Sequence, residues 1–302
     1  MQFTLTDLQN EIKENSNKLL KENIDLLETI QKVDENCRID KKVWDLVIDQ
    51  GWLALDVPEE DGGLGFSNTD TAILSEVLGY YMPIIPIFSS GVVFKHLLMN
   101  SKKEKKDELL PEIISGEKIG TFAVYESDKY EINKDTINTQ LTTVDSGYIL
   151  SGNKKYVMFG DVSDYIAVLA KHEDGCKFVL VSTNSDGVII KETTSLDQTR
   201  PMCEVEMSEV TLSTDDVLIE LDAELSAWNK VKNIALGYLA MEQVGASQAC
   251  LDMSTQYAKE RIQFGRPIGS FQAIQHICAD MLMPVSYTHL RAHETGRNLV
   301  CR

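Results

Sequence analysis

The spacing of apolar residues changes twice along this chain of 302 residues, and that change limits the possible folds more than any single motif does. From residue 1 to about 117, apolar side chains recur at steps of three and four, which is typical of amphipathic helices. From about 118 to 222, short runs rich in Val, Ile, Thr and Tyr alternate with turns, which predicts a small antiparallel β domain. The helical spacing then returns from 223 to 283. This α–β–α order excludes a doubly wound α/β sheet.

Within these segments the pattern predicts individual elements. Gly51 and Gly79 each follow a helical run and are expected to end it. After a first helical run from Leu8 to Ile30, the predicted helices are 43–51, 70–79, 92–100, 223–259 and 271–283. The predicted strands are 143–151, 165–171, 176–182, 188–193 and 204–212.

Charge and composition exclude several classes of protein. The formal net charge of −18 repels nucleic-acid backbones and anionic lipid surfaces. The longest apolar run is about eight residues, far short of the ~20 that a membrane helix needs. Six cysteines and five histidines lie scattered without ligand spacing, which argues against a metal site or a disulfide framework. The N-terminus carries acidic residues where a signal peptide needs a basic start, so we expect a cytoplasmic protein.

The segment 284–302 differs from the rest of the chain. Pro284 is expected to interrupt the last helix, and the segment carries a net charge of +2. Residues 1–283, by contrast, hold 26 basic and 46 acidic side chains. The tail resembles the vector- or linker-derived read-through found at the ends of assembled gene fragments, and a genuine basic C-terminal arm is the alternative.

The stretch 257–276 is the most informative for function. A helix ends in Arg261-Ile262-Gln263-Phe264-Gly265, a Gly-Pro turn follows, and a new helix opens near Gln272. Such a turn gathers a guanidinium, an amide and an aromatic face, which suits a pyrophosphate and a flat ring system. From these residues alone, a plain helical hairpin with a solvated basic pair is the simpler interpretation. Walker loops, Gly-x-Ser-x-Gly elbows and His-Glu-x-x-His motifs do not occur in the sequence.

The same stretch resembles the flavin-binding signature of the acyl-CoA dehydrogenase family. Further motifs of that family follow one another in the right order, so that the resemblance covers residues 1 to about 283. These motifs are Trp44 with Gly51-Trp52, Val57-Pro58-Glu59-Glu60-Asp61-Gly62-Gly63-Leu64-Gly65, Glu76-Val77-Leu78-Gly79, Leu109-Leu110-Pro111 and Asp197-Gln198-Thr199-Arg200.

The resemblance implies a fold, a cofactor and an assembly. The fold is α+β, with an N-terminal helical domain at 1–117, a middle β domain at 118–222 and a partial C-terminal helical domain at 223–283. The implied cofactor is FAD: Arg261 would contact the FAD pyrophosphate of a neighbouring subunit, Gln263 and Phe264 would line the same site, and Gln272 would lie near the adenosine end. A site shared between chains implies a homo- or hetero-oligomer.

The β domain departs from the family pattern at two positions that would face the flavin. Tyr125 and Glu126 stand where the family has Thr-Glu-Pro, and Glu126 is the residue that matches. Where the family has Trp-Ile-Thr-Asn, this chain has residues 156–159, so that Met158 replaces a hydroxyl that hydrogen-bonds the isoalloxazine edge. A thioether is a poor substitute for that hydroxyl.

The implied reaction is the α,β-dehydrogenation of an acyl-CoA thioester, with an electron-transfer flavoprotein reoxidising the cofactor. The usual base is a Glu in later C-terminal helices, beyond the homologous part of this chain. A minority of the family carries the base earlier, at the position occupied by Ala235 in this chain, and Glu242 on the same helix is better explained as a structural polar residue. We therefore assign no catalytic base.

Three alternatives remain open at the level of sequence. The first is an acyl-CoA dehydrogenase whose chain is C-terminally truncated and therefore inactive. The second is a non-catalytic partner subunit of a heteromeric dehydrogenase, which lends Arg261 and Phe264 to its neighbour's FAD. The third is a flavin oxidase or monooxygenase on the same fold.

Overall fold

The computed structural model of the protein describes residues 5–127, 132 and 135–285. These residues belong to two compact units. The helical unit draws on the ranges Met1–Thr29, Phe66–Pro83 and Leu236–Arg302. The sheet unit consists of Ile30–Gly65 and Ile84–Ala235. The three consecutive domains expected from the sequence stay a prediction.

Helices occupy both ends of the described part of the chain, as the apolar spacing predicts. A helix also covers 272–285, where one was expected at 271–283. The labelled helices are α1 Asp7–Asn23, α2 Leu26–Asp34, α3 Lys41–Asp49, α4 Asn68–Tyr81, α5 Lys95–Met99, α6 Lys103–Ile114 and α7 Ser226–Glu260.

The ends of α4 differ from the prediction for instructive reasons. Ser67 is the N-cap, and its hydroxyl accepts from the backbone N–H of Asp70, so the helix starts two residues earlier than expected. Gly79 does not end the helix. It lies inside α4, which runs on to Tyr81 and stops where Met82 adopts a left-handed conformation, with φ of 47°.

Two prolines also act differently from the expectation. The helix predicted to start near residue 92 begins earlier, directly after Pro86. It starts as a π-helix, Ile87–Phe94, and continues into α5. Pro284 was expected to interrupt the last helix, but helical structure continues to residue 285. The remainder of the predicted tail, 286–302, lies outside the described residues.

The described residues of the sheet unit form one eight-stranded sheet. Its strands are β1 Gly120–Ala123, β2 Gln140–Val144, β3 Gly147–Met158, β4 Tyr165–His172, β5 Gly175–Ser182, β6 Val188–Thr193, β7 Met202–Leu212 and β8 Val217–Leu221. The order is β6-β7-β3-β2-β4-β5-β8, with β1 beside β4. The run predicted as one strand at 143–151 is a hairpin, because the turn at 145–146 separates β2 from β3.

Neighbouring strands are mostly antiparallel, which confirms the predicted β domain. The exceptions are β1, which pairs in parallel with β4, and a single parallel pair between Gln140 and Lys171. One buried cluster of apolar side chains fills the sheet's core, formed by residues such as Leu150, Val157, Val168, Val179, Val205 and Val210. Trp228, in the first turn of α7, packs its ring 5.6 Å from that of Phe178.

Glycines allow two helices of the helical unit to approach closely. A methyl group added at Gly245 of α7 would lie 1.8 Å from the backbone oxygen of Glu76 in α4, and one added at Gly79 would lie 2.0 Å from that of Glu242. The apolar side chains that fill this crossing are Ala72, Met241 and Val244. Gly79, which was predicted to end α4, instead allows α7 to pack closely against α4.

Candidate functional site

The signature segment folds into a tight β-hairpin at the end of α7. Its strands, β9 (Ile262–Gln263) and β10 (Arg266–Pro267), pair in antiparallel fashion. Phe264 and Gly265 form the two-residue turn, with φ of 53° and 77°. Positive φ at both positions is the geometry that suits a two-residue hairpin. The segment therefore forms a β-hairpin between α7 and the helix at 272–285.

Backbone hydrogen bonds fix this hairpin to the helix before it. The Arg261 N–H donates to the Tyr257 carbonyl at 2.8 Å, and the Ile268 N–H donates to the Arg261 carbonyl at 2.8 Å. The side chains of Arg261, Gln263 and Gln272 are exposed. A guanidinium held on a fixed backbone and open to solvent can bind an anion from another molecule.

Aromatic and cationic side chains gather on the hairpin. The rings of Phe264 and Phe271 meet edge to face at 6.1 Å, and the Arg266 guanidinium lies 4.2 Å above the Phe271 ring. Phe264 is nevertheless 92% exposed, and Ile262 is 62% exposed. A fixed apolar tip of this kind is typical of a surface that contacts another chain or a cofactor.

Replacing Phe264 with alanine separates a binding role from a folding role. Because the ring is almost fully exposed, we expect the melting temperature to stay unchanged. If the ring contacts a flavin, FAD affinity falls about two- to tenfold. Differential scanning fluorimetry and FAD titration measure the two quantities. A lower melting temperature with unchanged FAD affinity would assign Phe264 a purely structural role.

The two β-domain positions lie on adjacent segments of the sheet unit. The Lys155 N–H donates to the Tyr125 carbonyl at 2.8 Å, and the Thr121 hydroxyl donates to the Met158 carbonyl at 2.6 Å. Tyr125 is half-buried, and burial raises the pKa of its phenol, which keeps it protonated and able to donate. The structure thus places Met158 beside Thr121 at the start of β1, and Tyr125, which follows the end of β1, beside Lys155 of β3.

The backbone around Met158 is unusual. The pairing of β3 with β7 shifts register between Lys154 and Val157, and Tyr156 and Phe159 have φ of 58° and 54°. Bulges and left-handed residues of this kind re-aim strand ends and often occur at functional sites. The Met158 side chain can only accept weakly, so it cannot donate the hydrogen bond that a hydroxyl would donate at this position.

Sequence reasoning missed the ion pair beneath these residues. Lys154 Nζ lies 2.6 Å from Glu126 Oε1, with the lysine side chain completely buried and that of the glutamate 8% exposed. Burial lowers the pKa of Lys154 to about 8, although the carboxylate opposes that shift. A lysine at an inward-facing position of a strand was the available signal, since a buried cation requires a partner.

The structure describes both positions considered for a catalytic base, and the absence of an assigned base stays a prediction. Ala235 is buried and carries no ionisable group, and Glu242 is half-buried on a helix whose backbone packs against Gly79. Among the described residues, no group of three His, Cys, Asp or Glu side chains could hold a metal ion.

Comparison with curated proteins finds several acyl-CoA dehydrogenases. A 2-methylacyl-CoA dehydrogenase, mitochondrial, of Solanum tuberosum is 28% identical over 92% of this chain and 69% of its own length. The acyl-CoA dehydrogenase IpdE2 of Mycolicibacterium smegmatis is 29% identical over 85% of this chain and 66% of its own. The chain thus spans about two thirds of the length of these relatives.

Solved structures share the fold. The ChsE4–ChsE5 complex from Mycobacterium tuberculosis superposes with a TM-score of 0.87 at 24% identity, over 99% of this chain and 80% of that one. Butyryl-CoA dehydrogenase from Megasphaera elsdenii superposes with a TM-score of 0.87 at 21% identity, over 97% and 80%. Both confirm the predicted fold class.

The family profiles complete the assignment. The profile for the acyl-CoA dehydrogenase N-terminal domain matches residues 6–117, and the profile for the C-terminal domain matches residues 237–299. Proteins with these two domains form a class of FAD-binding oxidoreductases that act on CH–CH groups. The chain belongs to the acyl-CoA dehydrogenase family, which confirms the resemblance seen in the sequence. No helix in the described part of the chain is long and apolar enough to cross a membrane, and the cytoplasmic location stays a prediction.

Proposed function

We propose that the whole protein carries out FAD-dependent α,β-dehydrogenation of an acyl-CoA thioester. The observation that carries this proposal is the hairpin after α7, which displays an unburied guanidinium, an amide and an aromatic ring on a fixed backbone. That donor set fits a pyrophosphate and a flat ring presented by a second molecule. Family membership supplies the reaction class.

Each site residue then has a defined task. Arg261 binds the FAD pyrophosphate of a neighbouring subunit, Gln263 and Phe264 line the same site, and Gln272 lies near the adenosine. Tyr125 and the backbone at Met158 hold the isoalloxazine edge of the FAD bound by the chain's own β domain. When bound, FAD supplies the acceptor for the hydride that leaves the substrate's β carbon. An electron-transfer flavoprotein is the proposed electron acceptor, and the assembly is an oligomer.

A second candidate is a non-catalytic partner subunit of a heteromeric dehydrogenase. Two observations favour it: Met158 replaces the hydroxyl expected at the flavin edge, and one structural neighbour is the two-component ChsE4–ChsE5 complex. In this case the chain lends Arg261 and Phe264 to a neighbour's FAD. An assembly with one FAD for every two chains would identify this alternative.

The test is anaerobic reduction of the bound flavin by acyl-CoA thioesters. The protein is expressed from its natural gene, its FAD content is measured per chain, and acyl-CoAs of increasing length and branching are added while the flavin absorbance is followed. We expect bound FAD whose absorbance bleaches with at least one thioester. Purification with FAD that no thioester reduces would contradict dehydrogenation, and purification without FAD, alone and with a partner chain, would contradict the flavoprotein assignment.

A further inference from the structure

The buried pair of Lys154 and Glu126 forms the centre of a hydrogen-bond network in the sheet unit. Lys154 Nζ donates to Glu126 Oε1 at 2.6 Å and to the Val124 carbonyl at 3.3 Å. The Glu126 carboxylate also accepts from the backbone N–H groups of Asn138, at 2.6 Å, and Thr139, at 3.0 Å. Two side chains thus connect three separate backbone segments.

Two of the three connected segments carry the candidate flavin-facing residues. Val124 and Glu126 flank Tyr125 at the end of β1, while Lys154 precedes the bulge of β3 that leads to Met158. The Lys155 N–H donates to the Tyr125 carbonyl at 2.8 Å and adds a backbone link between the same two segments. The ion pair therefore connects the segment that follows β1 to β3 at the residue where its bulge begins.

The electrostatic cost of this arrangement argues against an incidental contact. A fully buried lysine requires several hydrogen bonds and a paired charge to offset its desolvation. Partial burial raises the pKa of Glu126, but Lys154 and hydrogen bonding from Thr139 outweigh that effect and hold its pKa below the usual value. Both groups are thus charged at neutral pH, and each bond in the network is charge-assisted.

We propose that the Lys154–Glu126 pair positions residues 124–126 and the β3 bulge for contact with the flavin. The proposal rests on the proposed function, because it gives the network a role toward FAD. Neither residue contacts the reacting atoms, so both are positioning residues. Their effect on the flavin is exerted through the backbone around Tyr125 and Met158.

The test compares Lys154→Met and Glu126→Gln with the control Lys177→Met. Lys177 is also a buried lysine of the sheet, 5% exposed, but its ion-pair partners are the exposed Asp174 and Glu220. Hydrogen exchange at the amides of Asn138, Thr139 and Lys155 reports the network directly, with or without FAD. FAD titration and the visible spectrum of the bound flavin report its effect on the cofactor.

We expect Lys154→Met and Glu126→Gln to speed exchange at these amides about tenfold or more, and to weaken FAD binding by a similar factor. The flavin spectrum should also change, whereas Lys177→Met changes neither the spectrum nor the affinity. Faster exchange with unaltered affinity and spectrum would overturn the positioning role. If the wild type binds no FAD, the proposed function fails, and unchanged exchange in Glu126→Gln would then overturn the network itself. Should Lys154→Met not fold, Glu126→Gln provides the same comparison.

Discussion

Replacing Asp56 with asparagine should lower the free energy of unfolding by about 3–5 kcal/mol, because it leaves a buried cation without its counter-charge. In the sheet unit, Lys95 Nζ donates to the Asp56 carboxylate and to the Leu53 carbonyl at 2.9 Å. The side chains of Lys95 and Asp56 are 2% and 1% exposed. His96 Nε2 lies 3.4 Å from the same carboxylate, and burial lowers the pKa of this histidine.

Denaturant unfolding followed by tryptophan fluorescence measures this loss, because Trp44, Trp52 and Trp228 all belong to the sheet unit. The matched control is Asp107→Asn, which removes the same charge from an exposed pair with Lys103 and should cost less than about 1 kcal/mol. Adding Lys95→Met to Asp56→Asn should recover part of the stability, since it removes the unpaired charge. Equal losses in the two single variants would show that burial of the pair does not set its contribution.

Replacing Gly245 with alanine should destabilise the helical unit by about 3 kcal/mol. The added methyl group would lie 1.8 Å from the Glu76 backbone oxygen and 2.8 Å from the Tyr80 backbone nitrogen. Because both neighbours are backbone atoms of α4, the contact cannot be relieved by a side-chain rotation, and the two helices must move apart. Thermal unfolding followed by circular dichroism measures the change.

The matched control for Gly245 lies on the same helix. A methyl group added at Gly237 meets no atom within 4 Å, so Gly237→Ala should raise stability by up to about 1 kcal/mol through helix propensity alone. Opposite signs for the two substitutions are the expected result. A loss at Gly237 as large as that at Gly245 would show that close packing is not the reason for the glycine.

The fold could be predicted from the sequence wherever one periodicity held over a whole element. The strands β4, β5 and β6 agree with their expected ranges within one residue, because apolar alternation and turn residues point to the same boundaries. The predicted helix end at Gly79 was wrong, because a glycine that ends a helix cannot be distinguished in sequence from one that allows a second helix to pack closely. The parallel pairing of β1 with β4 could not be predicted either, since it depends on a contact between residues far apart in sequence.

Of the two parts of the candidate site, the sequence pointed to the segment around Arg261 but not to the buried Lys154–Glu126 pair. The segment around Arg261 was found because several unusual residues are adjacent in sequence, although its hairpin form was not foreseen. The Lys154–Glu126 pair was not found, because its members are 28 residues apart along the chain and their burial is a property of the sheet. Alternation predicts which face a strand residue occupies but not which distant charge it meets.

FAD titration of the wild type, Arg261→Ala and Lys259→Ala decides whether the hairpin after α7 binds the cofactor. Both substitutions remove one exposed positive charge, but Lys259 lies in the last turn of α7 and outside the hairpin. If Arg261 binds the pyrophosphate, its loss should raise the dissociation constant of FAD tenfold or more, since a charge-assisted contact contributes about 1.5–3 kcal/mol. Lys259→Ala should bind FAD as the wild type does. Equal affinities for all three proteins would contradict the assignment of the hairpin as a flavin site.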